Sequence, residues 1–417
     1  MASRTIPDAS KQCPVTFDHH SRDHADNYPK IYAELRETCP RAWSASYGGH
    51  WIATRYQDVL AIAQAKDSFT SDKTVDPVTG EVRGGNTIPS LSPYRLLPNE
   101  SDSPEWEGIR TFLNRRFSPK TVEARRIQTR TWVNELIDRV IETGHIDFLE
   151  DFTNPLPGYV TMEIFGFPLS DWNRFADPAH RLIYLRQDDE GFAEAFANLD
   201  YFRQRVDEEI EDRRRSPRDD MLSMLANGEV DGAPLDRKRI QEISWQILAG
   251  GVDTTTALTA NTLVHLGRHP EHRQRLIDEP ELLPIACEEF VRYFSPVHGP
   301  ARNAKADVDL DGWHFDKGDR VTLAYSSANR DPEVFEDPEE VKLDRFPNRH
   351  IGFGAGMHRC VGNNLARMMF QEMITGVLSR IPEYRIIEEG LRRYNSIGNI
   401  NGWIHVPAEF TPGRKLG

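Results

Sequence analysis

The stretch FGAGMHRCVG, Phe353 to Gly362, sets His358 and Cys360 among glycines just ahead of a helical pattern. Beyond it, Leu365, Met369, Met373 and Val377 recur at helix spacing. Cys360 is therefore expected at a helix N-terminus, where free amide donors and the positive end of the dipole favour a thiolate. A thiolate can ligate a soft metal, and as the axial ligand of a haem iron it pushes electron density toward the metal. Gly354 and Gly356 permit positive φ and close approach of a flat ligand. His358, two residues before the sulfur, suits an anionic group on that ligand better than the metal. The alternative for a lone cysteine is simple burial beside a turn.

A second pattern, AGGVDTTTA, lies in the apolar stretch from Asp236 to Pro270, which reads as one long helix. Adjacent glycines inside a helix cost about 1 kcal/mol each relative to alanine, so something must need the space. The Thr254 hydroxyl can bond the carbonyl of Gly250, four residues back, and locally open the helix. Asp253 beside it could relay protons. Glu289 and Arg292 in EEFVR sit at i,i+3 on one helix face, where an ion pair can form. Trp106 and Arg110 in WEGIR, with Arg302 in HGPARNA, offer N–H donors suited to carboxylates.

Elements that could position these groups are mostly helical. YPKIYAELRETCP, YQDVLAIAQAKDSF, LLPIACEEFVRYFSP and the stretch after Cys360 read as helices. So does TVEARRIQTRTWVNELIDRVIETG, closed by Gly144, while NLDYFRQRVDEEIEDRRRSP is stopped by proline. Short strands are expected around Gly48–Gly49, in DVDLDGWHF, in DRVTLAY and in GWIHVPAEF. From about Ser71 to Ser103 the chain is rich in Gly, Pro, Ser and charge, the mark of a functional loop. The class is mainly α with a minor β portion. One domain over 1–417 is expected, its strands mainly at about 40–70, 300–325 and 385–412.

The 417 residues are 38% hydrophobic and 28% charged, an ordinary globular composition. A net charge of −14 argues against nucleic acid as a partner. The polar N-terminus and the lack of a long apolar run predict neither secretory signal nor membrane anchor. Cys13, Cys39, Cys287 and Cys360 lie far apart in sequence, so no disulfide framework is expected and a reducing cytoplasm is the simplest location.

The pattern F-G-x-G-x-H-x-C-x-G resembles the haem-binding loop of cytochrome P-450 monooxygenases. Asp253–Thr254 matches the family's acid–alcohol pair, Glu289 and Arg292 its E-x-x-R, and Arg345 in LDRF the third partner of that network. Trp106 stands where many bacterial members have histidine. The resemblance covers nearly the whole chain and implies a large helical lobe around haem b with a smaller β-rich lobe. It implies Cys360 as axial iron ligand and Phe353, Gly354 and Gly362 shaping the loop. Trp106, Arg110, Arg302 and His358 would hold the haem carboxylates. The activity implied is insertion of one oxygen atom from O2 into a C–H bond of a small lipophilic substrate, such as a terpenoid, steroid, fatty acyl or aromatic compound.

No flavin or nucleotide motif is present, so NAD(P)H would act only through a separate ferredoxin or flavodoxin and its reductase. Arg115, Arg116, Lys120, Arg359 and Arg367 form the expected docking face for that acidic donor. Expected pocket residues are Leu248, Gly251, Val297, His298 and Ile400, with further lining from residues 180–199 and 395–401. A monomer is expected. Two other readings are a peroxide-driven peroxygenase and a haem-binding scaffold without catalysis; the retained cysteine, acid and threonine weigh against the second, and the Asp–Thr pair against the first.

Overall fold

The computed structural model describes residues 13–90, 94–185 and 189–417. Six strands, β1 (Cys13–Val15), β2 (Arg41–Ser44), β3 (His50–Ala53), β4 (Phe69–Thr70), β5 (Ala301–Ala304) and β6 (Arg320–Leu323), make one sheet in the order β1-β2-β3-β6-β5-β4. β2 and β3 pair antiparallel across a turn in which Gly48 and Gly49 have φ of 82° and 94°. Only residues without a Cβ take that backbone at little cost. β3 runs parallel to β6, joining the N-terminal hairpin to strands nearly 270 residues later.

The rest is mainly helical. The helices that matter for the site are α1 (Arg22–Thr38), α2 (Tyr56–Gln64), α3 (Glu105–Asn114), α4 (Trp172–Tyr184), α5 (Arg237–Gly251), α6 (Asp253–Arg268), α7 (Pro270–Asp278), α8 (Leu283–Phe294) and α9 (Asn363–Arg380). α9 buries Leu365, Met369, Met373 and Val377 against the large helical core, as their spacing predicts. A second cluster, around Trp51, Val59, Phe315 and Leu323, fills the space between the sheet and α2.

Three sequence expectations change. The stretch 236–270 is two helices. Asp236 caps α5 by accepting from the Arg239 N–H at 2.8 Å, but Val252 (φ −93°, ψ −71°) breaks the path before α6 begins. The break falls where the Thr254 hydroxyl donates to the Gly250 carbonyl at 2.9 Å, a bond that competes with the helix ladder. The helix before Gly144 is likewise divided, into Pro119–Glu123 and Arg126–Val140, and ends short of that glycine.

The third change concerns the cysteines. Cys13 and Cys39 are joined by a disulfide with Cα atoms 5.9 Å apart. Parallel pairing of β1 with β2, Cys13 opposite Ala42, carries the N-terminal strand back onto the end of α1. Sequence spacing holds no trace of that return. Among the described residues no helix is long and apolar enough to cross a membrane. Residues 71–103 contain a hairpin, Lys73–Val75 with Val82–Gly84, tied to the structure by a buried Lys73–Glu100 ion pair at 2.6 Å.

Candidate functional site

Cys360 sits in a tight loop two residues before α9. Its N–H donates to the Phe353 carbonyl at 2.8 Å, the Gly354 N–H to Ile351 at 2.8 Å, and the Asn363 side-chain amide to the Cys360 carbonyl at 2.6 Å. Gly354 and Gly356 have φ of 76° and 66°. A Cβ on Gly356 would stand 2.4 Å from the Ala63 carbonyl oxygen of α2, whereas one on Gly354 would meet nothing closer than 3.5 Å. Gly356→Ala should therefore cost about 1–3 kcal/mol and displace the loop, read as a lower thermal midpoint, with Gly354→Ala losing less.

The Cys360 side chain, itself partly exposed, lines a largely apolar cavity and is accessible there to a ligand. Burial pushes the thiol up, against the Gly362 N–H and the charges of Arg110, Arg367 and Arg359. Binding of a metal to the sulfur would displace the thiol proton.

Opposite the sulfur's loop, the cavity is lined by Ile247, Gly250, Gly251 and Thr254 at the α5–α6 break, and by Ile164 and Val297. At its edge are N–H donors that lack acid partners. Arg302, buried on β5, donates only to the Ala301 carbonyl at 2.8 Å; Arg110 on α3 donates to the Arg359 carbonyl at 2.5 Å and to Asn114 at 3.1 Å. Neither makes an ion pair among the described residues, and burial lowers both. His358 meets the Ser71 hydroxyl through Nε2 at 3.0 Å, and its Nδ1 is buried without a partner. Burial, with Arg302 and Arg110 nearby, brings it down to about 3. The indole N–H of Trp106 is also buried and unpartnered, its ring edge-on to His358 with centroids 6.0 Å apart. A buried guanidinium, a half-buried one and two orphaned ring nitrogens beside a sulfur fit a flat group carrying anionic arms, since an unpaired buried cation is otherwise costly.

Behind the cavity, Glu289 and Arg292 on α8 are fully buried. Arg292 reaches both Glu289 oxygens at 2.7 and 2.8 Å and spends its other N–H groups on the Asn329, Pro338 and Glu340 carbonyls. Arg345, Asn348 and the Lys342 N–H complete the carboxylate's bonding. Two guanidinium groups face one carboxylate, and every Arg292 donor is used. Tyr325, whose buried side chain lines the cavity, lies four residues before Asn329 of this network.

A family model for cytochrome P450 matches residues 170–381, half of the chain. The chain belongs to the cytochrome P450 family. Among P450 relatives, the polyketide biosynthesis cytochrome P450 PksS of Bacillus subtilis is 29% identical across 89% of this chain and 93% of its own. Its solved structure has a TM-score of 0.83, at 26% identity, covering 95% of this chain and 100% of that one. The steroid C26-monooxygenase of Mycolicibacterium smegmatis is 30% identical over 87% of this chain and 88% of its own. A crystal structure of P450BioI, in complex with an acyl carrier protein bearing hexadec-9Z-enoic acid, has a TM-score of 0.83 at 27% identity, covering 93% of this chain and 100% of that one. The protein is thus a P450 monooxygenase with the P450 fold, of a family that uses haem iron and dioxygen.

Several site expectations need correction in this P450. Leu248 is buried in the helical core, and Ile247 faces the cavity instead. His298 does not line it. It is fully buried between Tyr28 and Tyr32 of α1 and His24, with neither ring nitrogen partnered, and burial holds it well below the usual imidazole range. Ile400 bridges to Val297 but packs on α1. Gly251 and Val297 do line the cavity. Of residues 180–199, those at 186–188 lie outside the described residues and none of the others faces the cavity; nor does 395–401.

On the expected docking face, Arg116 is paired with Asp219 at 2.7 Å and Arg367 with Glu288 at 2.6 Å. Arg115, Lys120 and Arg359 remain exposed and make no ion pair among the described residues. Asp253 is absent from the lining. Its Oδ1 lies 2.5 Å from Nδ1 of His180 on α4, and its Oδ2 is buried with no partner. The sequence did not pair His180 with Asp253 or Ser71 with His358, contacts that span 73 and 287 residues.

Proposed function

We propose that this P450 hydroxylates a small lipophilic molecule, with haem b held between Cys360 and the α5–α6 break. The observation that carries this reading is the convergence on one apolar cavity of the Cys360 sulfur with Arg110, Arg302 and His358, none paired to an acid among the described residues, with the unpartnered Trp106 indole beside His358. When bound, the haem iron would supply activation of dioxygen, from which the inserted oxygen atom comes. Cys360 would be the axial ligand. Arg110, Arg302, His358 and Trp106 would hold the two carboxylates, a role that needs donors left free of other anions.

Thr254 and Asp253 divide the proton work. The Thr254 hydroxyl faces the cavity, while its bond to the Gly250 carbonyl keeps the groove open. Asp253 lies behind it as the proton relay, held in place by His180. Ile164, Ile247 and Val297 exclude water and orient the substrate by shape, so a terpenoid, steroid or fatty acyl compound suits the lining. A screen of those classes by the absorption shift that follows loss of iron-bound water tests this. Shifts are expected with lipophilic ligands that then yield hydroxylated product; shifts confined to polar or charged ligands would contradict it.

Electrons would come from a separate ferredoxin or flavodoxin with its reductase. Arg115, Lys120 and Arg359 form the cationic face for that donor. The variant Arg115→Glu with Lys120→Glu should slow the first electron transfer about tenfold or more at low salt, with the difference shrinking as salt screens it. Stopped-flow reduction checks this, and equal rates at low salt would place docking elsewhere.

A further inference from the structure

At the end of α6, away from the cavity, three histidines converge. His265, His269 and His272 come from the last turn of α6, its capping residue and the first turn of α7, and a donor nitrogen from each lies within 4.8 Å of the other two. His265 Nε2 and His272 Nδ1 already stand 2.9 Å apart. Two imidazole nitrogens on a tetrahedral zinc, each about 2.0–2.1 Å from the metal, are about 3.3 Å apart. That pair therefore needs to open only slightly, and the third ring to turn inward about its own bond.

The surroundings favour coordination. The His265 ring is backed by Phe290, Tyr293 and Phe294 of α8, with centroids 5.9 to 6.3 Å away. His269 Nδ1 is 3.0 Å from the Glu271 carboxylate. That contact leaves Nε2 as the donor once the ring has turned, the arrangement in which an outer carboxylate supports a metal-bound imidazole. Nearby cations are already paired, Arg268 with Glu388 and Arg275 with Asp344.

We propose that His265, His269 and His272 form a three-imidazole site for a divalent transition cation such as Zn2+, tying the end of α6 to α7. Neutral imidazoles suit zinc, nickel and copper rather than magnesium or calcium. A fourth position stays open to water. The proton between His265 and His272 passes to an outer ring nitrogen when the metal enters, so the ligands bind as neutral groups.

The test is calorimetric titration of Zn2+ into chelator-treated, dialysed holoenzyme, with thermal midpoints measured in parallel. One saturable equivalent is expected, with a raised midpoint. His272→Ala and His269→Ala should each weaken binding about tenfold or more, and the double variant should lose both binding and the midpoint rise. Both side chains are half-exposed, so the variants should keep the wild-type haem spectrum. His405→Ala, in the other close group of donors with Asp147 and Glu150, should change nothing. Absence of saturable binding, or unchanged affinity in the double variant, would overturn the proposal.

Discussion

Replacing Cys360 with serine should leave a folded protein that has lost its monooxygenase activity. The loop is held by backbone groups, the Cys360 N–H on Phe353 and the Asn363 amide on the Cys360 carbonyl, and neither involves sulfur. The fold survives on those bonds, while the electron push of the thiolate does not. Product formation should fall about a thousandfold or more, equivalent to roughly 4 kcal/mol of barrier. Circular dichroism and the thermal midpoint should stay close to wild type. Turnover within about tenfold of wild type in the serine variant would remove Cys360 from the role proposed for it.

The second large effect is on folding. Glu289 and Arg292 are fully buried, and Arg292→Leu would strand the carboxylate with Arg345 and Asn348 as its remaining side-chain donors. Removing one partner of a buried ion pair costs about 3–5 kcal/mol, a large part of the roughly 5–15 kcal/mol that keeps a domain folded. The expected result is a lower urea midpoint and little haem-loaded protein at growth temperature. Glu289→Gln should be milder in packing but still severe, because an amide cannot accept from all the groups arrayed around it. The exposed Glu81–Arg83 pair, by contrast, should be removable for under about 1 kcal/mol. A wild-type denaturation midpoint in Arg292→Leu would show that the network does not hold the core.

What the sequence made legible follows from how local each signal is. The cysteine loop was readable because cysteine and histidine are scarce and its glycines answer to positive φ within a few residues. The helix break was half readable: Thr254 and Gly250 are four residues apart, so their hydrogen bond could be expected, but not that it would divide 236–270 in two. Depth was not readable. Leu248 and Ile247 differ by about 100° of helix rotation, and only packing against the core decides which faces the cavity. That His298 is buried against α1 rather than lining the pocket was not readable, because the tyrosines it meets, Tyr28 and Tyr32, lie far away in the chain. The Cys13–Cys39 bond and the His180–Asp253 contact are invisible for the same reason, since strand pairing and helix docking create them. The N–H donors could be matched by resemblance, but their lack of acid partners could not.

The claim on which the rest depends is that iron in this protein is bound by the Cys360 sulfur. X-ray absorption at the iron edge of the purified resting enzyme, with the serine variant beside it, tests this most directly. The account predicts one sulfur scatterer in the iron shell of the wild type and none in Cys360→Ser. A wild-type shell of nitrogen and oxygen alone, or a sulfur that persists in the variant, would contradict it.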